Sequence, residues 1–331
     1  MIHPNAKLNP DTLDVSKLEQ KPTRHGFGVG LVEAGKKNEQ VVVCCADLAE
    51  STRVEEFKKV FPNRYIEIGA AEQNLATIAS GLANYGKIPF IASYATFSPG
   101  RNNEQIRTTI SINNVPVKIV GCHAGVSVGP DGATHQALED IALMRVQPNM
   151  TVLVPCDAEE ARKITIAAAE YPHPVYIRLG RSNTPLFTTV ETPFEIGKAQ
   201  IFYTSDAPAV AIIACGTLVH NALLAAEVLL QEGVQVMVVN LPTIKPLDEK
   251  TILEVAKKCG AVVTVEEHQI AGGMGSTVAE YLAQNFPVPM QFIGMHDQFG
   301  QSGTPDELIK HYGMDVAAIK NAVLKVITLK K

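Results

Sequence analysis

Between residues 40 and 180, six short apolar runs alternate with longer segments of helical period, and this alternation constrains the fold more than any other feature of the chain. The runs are "QVVVCCADL" (40–48), "YIEIG" (65–69), "IPFIASY" (88–94), "PVKIVGCHA" (116–124), "TVLVPC" (151–156) and "PVYIRLG" (174–180). Runs that are apolar on both faces belong in a parallel sheet covered by helices on each side. The intervening segments suit such helices. "DAEEARKITIAAAEYP" (157–172), for example, carries its acids in the first turn, where the positive end of the helix dipole favours them. The crossovers are expected to be right-handed.

From residue 183 the pattern breaks into a Thr- and Pro-rich stretch, "NTPLFTTVETPFEIGKAQIFYTSDAP", after which a second alternation begins. Its strand candidates are "AVAIIACG", "VQVMVVNLP", "AVVTVEEH" and "MQFIGM", with "DVAAIKNAVLKVITL" as a closing helix. The expectation is an α/β chain of two domains, each a mainly parallel sheet covered by helices. The boundaries read as an N-terminal arm at 1–22, a first domain at 23–185, a linker at 186–206 and a second domain at 207–331. A length of 331 residues suits two domains of ordinary size.

Composition excludes several classes of function. The formal net charge is −5, which leaves no basic footprint for nucleic acid. No apolar run approaches the ~18–20 residues of a membrane span, and the polar N-terminus lacks the apolar core of a signal peptide. Six cysteines are scattered without a C-x-x-C pair, so reduced thiols and a cytoplasmic location are expected rather than disulfides or zinc. "GFGVGLVEAG" (26–35) and "AGGMGS" (271–276) hold glycines but neither gives G-x-G-x-x-G after a strand, and no phosphate-binding P-loop or H-E-x-x-H occurs. No metal site is expected from this chain's own residues.

Three segments place chemistry at strand ends, where ligands of parallel sheets bind. In "GCHAGVSVGPDGATHQALEDIALMRVQPNM" (121–150) a strand ends at His123, Asp131-Gly132 makes a turn, and Thr134 is positioned to cap a helix starting near His135. In "IASYATFSPGRNNEQIR" (91–107), Tyr94 and Phe97 sit at a strand end, for core packing or ligand stacking. "VYIRLGRSNTP" carries Arg178 and Arg181, which suit either a bound anion or an internal salt bridge. A fourth segment, "RYIEIGAAEQNLATIASGLANYG" (64–86), starts a helix with an acid, Glu72, among small apolar neighbours and with no adjacent cation.

Taken in order, "ADLAEST", "GAAEQN", "GPDGATHQALEDIALMRVQPNM", "RLGR" and "VEEHQIAGGMGS" resemble the transketolase family of thiamine diphosphate enzymes, over residues 20 to 330. The matching parts are its pyrimidine-binding and C-terminal domains. The resemblance implies a role for Glu72: the acid at this position hydrogen-bonds N1′ of the cofactor's aminopyrimidine and favours the imino tautomer, whose N4′ takes the proton from C2. The resulting ylide attacks a ketose carbonyl. Burial disfavours a charged carboxylate, a helix N-terminus favours it, and desolvation by the cofactor is expected to win.

The resemblance carries over to other positions one at a time. Phe97 and Tyr94 pack against the aminopyrimidine, and Asp47 and Leu48 of "ADLAEST" are further cofactor contacts. His123, Arg181, Arg24 and Ser51 surround the sugar phosphate, where guanidinium forks suit phosphate oxygens. Asp131 reads hydroxyl stereochemistry, and His135, beside the reacting carbons, assists proton transfer together with His123.

Two departures matter. "SPGRNN" follows Phe97 where single-chain members usually have a further aromatic. The family's metal and diphosphate site uses a "GDG" motif followed, roughly a helix later, by an Asn pair, and no "GDG" occurs in this chain. The resemblance therefore implies the C-terminal subunit of a split transketolase, moving a two-carbon ketol unit from a ketose phosphate to an aldose phosphate. Thiamine diphosphate and Mg²⁺ are expected as cofactors, the metal held by a separate N-terminal subunit. The chain is expected to be a homodimer alone and part of a heterotetramer when active. The alternatives are a fragment related to 1-deoxyxylulose-5-phosphate synthase, a 2-oxoacid dehydrogenase β subunit, or a non-catalytic paralogue. "ADLAEST" and the histidine of "GCHAG" stand against the first, and the Arg24, Ser51, His123, Arg181 set against the second. Retention of Glu72, His123 and His135 stands against the third.

Overall fold

The computed structural model describes residues 1–330 and contains two large sheets. The first has seven strands, in spatial order Thr243–Lys245, Thr151–Leu153, Val175–Arg178, Lys118–Cys122, Ile88–Tyr94, Val41–Cys45 and Tyr65–Glu67. Six of these are parallel and coincide with the six apolar runs. The second sheet runs Met290–Met295, Val262–Gln269, Val210–Ala214, Val236–Asn240 and Gln200–Thr204, the last strand antiparallel to its neighbour. Fully apolar strands such as Val41–Cys45 and Val210–Ala214 are buried along their whole length, as helix-covered parallel strands must be.

One apolar layer joins the two sheets. Cys44, Ile91, Ile119 and Tyr176 of the first sheet and Leu75 of a helix over it pack in one cluster with Ile213 and Val239 of the second sheet and Val255 and Met274 of its helices. The short strand Thr243–Lys245 leaves the second domain to pair antiparallel with Thr151–Leu153, so the two halves also share a backbone ladder. On the outer face of the first sheet, helices Thr23–Lys37 and Ala158–Glu170 cross closely. The glycines of "GFGVG" explain the approach, since a Cβ at Gly26 would overlap the carbonyl oxygen of Ala158 and one at Gly30 would crowd Arg162 and Thr165. That cluster is a helix-packing surface, not a phosphate loop.

Two expectations are corrected and one is extended. The segment 186–206 is not wholly linker, because Gln200–Thr204 forms the antiparallel edge strand of the second sheet. The arm 1–22, given above only as an arm, packs on the second domain: Ile2 bridges Tyr203, and Ala6, Leu8 and Leu18 enter that domain's core. No helix starts at His135; the next one is Asp140–Arg145. Residues 124 and 137 form a parallel bridge, with the Gly125 amide donating to the Ala137 carbonyl at 2.9 Å. The backbone after the Asp131-Gly132 turn is thus committed to that return path rather than to a helix.

Candidate active site

Three adjacent parallel strands end side by side at Cys45, Tyr94 and Cys122. The residues that follow them, or begin the next helix, form one continuous surface. His123 and Asp47, each just past a strand end, have left-handed backbone conformations (φ 57° and 58°). Such residues turn the chain sharply at a cost that clusters at functional sites.

Glu72 opens the helix Glu72–Asn84 and is 3% exposed. Its Oε2 accepts a hydrogen bond from Arg101 Nη1 at 2.7 Å, and Ser93 Oγ lies 3.4 Å from Oε1. Asn102 Nδ2 donates to its backbone carbonyl at 2.9 Å. The acid that lacks a cation in sequence thus has one in space, 29 residues on. Arg101 lies over Phe97, its guanidinium carbon 4.7 Å from the ring centre.

From Phe97 the aromatic surface continues without a break. Phe97 meets His135 edge-on at 5.5 Å between ring centres and Tyr94 face-on at 6.1 Å, and Tyr94 stacks on His123 at 4.0 Å. His123 is 2% exposed, and its Nδ1 is buried without a hydrogen-bond partner. Burial, followed by the nearby Arg24 and Arg181 guanidiniums and His135, pushes its pKa down to about 3. The ring is therefore neutral near pH 7. Thr134 Oγ1 lies 2.9 Å from His135 Nδ1, so the opposite nitrogen of that imidazole is the one not tied to Thr134.

The basic side of the site is built by three segments. Arg24 starts the helix Thr23–Lys37 and donates from Nη1 to the Ser51 carbonyl at 2.6 Å, while its buried Nε has no partner. Burial and then the neighbouring Arg53 charge lower the Arg24 pKa. Arg181 donates to the Val128 carbonyl at 2.7 Å and pairs with Asp131 at 3.3 Å. Asp47 is exposed and its amide donates to Glu67 Oε1 at 2.7 Å; Leu48 beside it is half-buried. Arg178 is not part of this surface. It is buried, with Nε 2.8 Å from Asp140 Oδ2, so of its two sequence readings the internal salt bridge is the observed one.

Sequence reasoning missed Arg101, Arg53 and Ser93. Arg53 follows "EST" directly and has a left-handed backbone (φ 66°) and a buried unpartnered Nε. Arg101 sits in "SPGRNN", the segment that departs from the single-chain pattern.

The pattern of the transketolase pyrimidine-binding domain matches residues 19–186, and that of the transketolase C-terminal domain matches residues 197–319. A Methanocaldococcus jannaschii protein designated a transketolase C-terminal section is 44% identical over 308 residues, 92% of this chain and 96% of that one. One of the subunits of the apulose-4-phosphate transketolase of Phocaeicola vulgatus is 36% identical over 305 residues, 92% of this chain and 97% of its own length. Among solved structures, a split-gene transketolase described as an inactive β4 tetramer has a TM-score of 0.87 at 44% identity, covering 94% of this chain and 99% of that one. The chain belongs to the transketolase family. Within that family it is the C-terminal section of a split transketolase.

The family generally depends on thiamine diphosphate, and the residues here fit the ring half of that cofactor. A buried carboxylate, Glu72, is joined through Arg101 to the aromatic face of Phe97 and Tyr94. Among the described residues no group of three His, Cys, Asp or Glu side chains could hold a metal ion.

Proposed function

We propose that this chain supplies the aminopyrimidine and sugar-phosphate half of a transketolase active site, for transfer of a two-carbon ketol unit from a ketose phosphate to an aldose phosphate. The observation that carries the reading is the line Glu72, Arg101, Phe97, His135, Tyr94, His123, in which Arg101 bridges Glu72 to Phe97, and which draws on separate segments that the first sheet brings together. When bound, thiamine diphosphate supplies the carbanion that adds to the ketose carbonyl. Glu72 holds a proton at its carboxylate against the pyrimidine ring. Phe97 and Tyr94 supply the aromatic face on which that ring packs, an arrangement that suits an electron-poor heterocycle. The neutral imidazole of His123 donates to substrate oxygens, and His135 moves protons beside the reacting carbons. Arg24, Arg181 and Ser51 bind the phosphate, with Arg53 adding a fourth group, and Asp131 orients a substrate hydroxyl. Asp47 and Leu48 complete the cofactor contacts at the strand end.

Mg²⁺ and the diphosphate fall to a separate N-terminal subunit, a reading supported by the lack of the family's "GDG" motif in this sequence. The β4 tetramer described for the related split-gene protein supports self-association of the C-terminal subunit, and its description as inactive supports the need for a second chain. The active assembly is two copies of each. The test mixes this chain with its candidate N-terminal subunit, thiamine diphosphate, Mg²⁺ and a ketose/aldose phosphate pair. Activity only in the mixture is the expected result. Full activity of the chain by itself would remove the split-site reading, and an inactive mixture would favour the non-catalytic alternative.

A further inference from the structure

Arg101 makes, by itself, the two contacts that the proposed function gives to the aminopyrimidine. Its guanidinium stacks on Phe97, with 4.7 Å between Cζ and the ring centre, and Nη1 donates to Glu72 Oε2 at 2.7 Å. A guanidinium and an aminopyrimidine are both flat, both pack on an aromatic face and both present nitrogen to a carboxylate. They cannot hold the same face of Phe97 and the same oxygen of Glu72 together. We propose that Arg101 competes with the cofactor ring for this position and must leave Glu72 before the ring can bind.

The surroundings say which partner moves. The Glu72 side chain is 3% exposed and that of Arg101 48% exposed. Glu72 is fixed from behind: its backbone carbonyl accepts from Asn102 Nδ2, which also donates to Ser98 Oγ at 3.1 Å. Apart from Glu72, no side-chain hydrogen bond holds the Arg101 guanidinium among the described residues. A half-exposed arginine on the Phe97 face can return to water at little cost. The carboxylate cannot, so it passes from one cationic or proton-sharing partner to the next without being left buried and alone.

Such competition lowers apparent affinity in proportion to the fraction of chains in which the position is free. An arginine held by a charge-assisted bond and a stacking contact keeps that fraction at about one-tenth or below. Cofactor affinity is then set jointly by Arg101 and by whatever the partner subunit adds. This inference rests on the aminopyrimidine reading of Glu72 and Phe97, and the test separates the two.

Thiamine, which carries the ring without the diphosphate and needs no metal, is the probe. It is titrated by calorimetry into the full wild-type chain and into R101Q, R101K, E72Q and R101Q/E72Q, with unfolding melts confirming that each is folded. R101Q is expected to bind about tenfold more tightly than wild type. R101K, which keeps a charge beside Glu72 but cannot lie flat on Phe97, should fall between them and covers the case in which R101Q does not fold. E72Q in either background should abolish the binding. If R101Q and R101K bind no better than wild type, or none of the chains binds detectably, Arg101 does not compete. If binding improves but is indifferent to E72Q, the Glu72 reading itself fails and takes the inference with it.

Discussion

The carboxylate of Glu267, in the second domain, holds the backbone of Ser127 in the first. Ser127 N donates to Glu267 Oε1 at 2.5 Å and Ser127 Oγ to Oε2 at 3.1 Å. The fit is close enough that Gly125 (φ 88°) has no room for a side chain, since a Cβ there would lie 2.3 Å from Glu267 Oε1. Gln136 adds a second tie, donating to the carbonyls of Val126 and of Gln301 at 3.1 and 3.0 Å. The loop that carries Asp131 and His135 is thus anchored at both ends by, or alongside, the second domain.

Glu267→Ala should loosen that loop. A buried donor left without its acceptor costs about 1–3 kcal/mol, and the Ser127 amide is such a donor. Hydrogen exchange at residues 125–136 should rise while the first sheet stays protected. Glu267→Gln keeps an acceptor oxygen and should show a smaller change. Unaltered exchange in Glu267→Ala would mean that the loop is held by its other ties, Gln136, Arg181 and Ser182.

Glu72→Gln should leave the fold intact and reduce turnover of the reconstituted enzyme by about 10²-fold or more, the usual range for losing a positioned proton donor. The amide is near-isosteric but holds no transferable proton. Exchange of the C2 proton of bound thiamine diphosphate reads the step directly. An unchanged exchange rate would remove Glu72 from it.

Arg24→Ala should raise KM for phosphorylated sugars about tenfold and leave a small non-phosphorylated donor almost unaffected. A charge-assisted hydrogen bond contributes about 1.5–3 kcal/mol, and one lost away from the reacting carbonyl appears in binding rather than in kcat. Arg181→Ala is a less selective probe, because Arg181 also holds Val128 O and Asp131. Equal losses on both donor types in Arg24→Ala would assign Arg24 to the Ser51 carbonyl alone.

His123 gives a signed prediction in pH. Burial, Arg24, Arg181 and His135 lower its pKa from 6.5 to about 3 in the folded chain. Between those values the unfolded chain holds a proton that the folded one does not. Its contribution is therefore complete above about pH 6.5 and is lost as pH falls toward 3, by about 1.4 kcal/mol per pH unit. His268, lowered to about 4, acts in the same direction, whereas Glu160 and Glu266, raised to about 7 by burial, act in the opposite one. Only a difference isolates His123. His123→Asn, which tolerates the left-handed backbone, should narrow its stability gap to wild type as pH falls from 7 to 4. Parallel melting curves across that range would mean that His123 titrates alike in the folded and unfolded chains.

The sheet strands were legible because an apolar run must be buried on both faces, and the aromatic and histidine positions because they stand at the ends of such runs. Other features depend on tertiary proximity. Gln200–Thr204 lies in a Thr- and Pro-rich stretch and Thr243–Lys245 in the short "TIK", so neither shows a run long enough to read as a strand. The return of residue 137 to residue 124 overrides the cap-like Thr134. Arg101 reaches Glu72 because the turn after Tyr94 folds back over the helix start, a contact that spacing alone does not encode.

The last prediction separates Arg178 from Arg181, which look alike in "RLGR". Arg178 donates to Asp140 Oδ2 at 2.8 Å and to the Glu267 carbonyl at 2.8 Å, and Tyr176 Oη donates to the same Asp140 oxygen at 2.6 Å. The pair is 7% and 1% exposed and ties the first sheet to the second domain. Removing one partner of a buried ion pair costs about 3–5 kcal/mol, because the other charge is left uncompensated, whereas replacing both by apolar groups costs far less. Asp140→Ala should therefore destabilise the chain by about that amount, and the double variant Asp140→Leu/Arg178→Met by clearly less, as read from denaturant midpoints. Arg178→Met should lower stability without changing the KM ratio between phosphorylated and non-phosphorylated donors, the ratio that Arg24→Ala moves. A shift of that ratio in Arg178→Met would place Arg178 among the phosphate contacts, against its burial and its bond to Asp140.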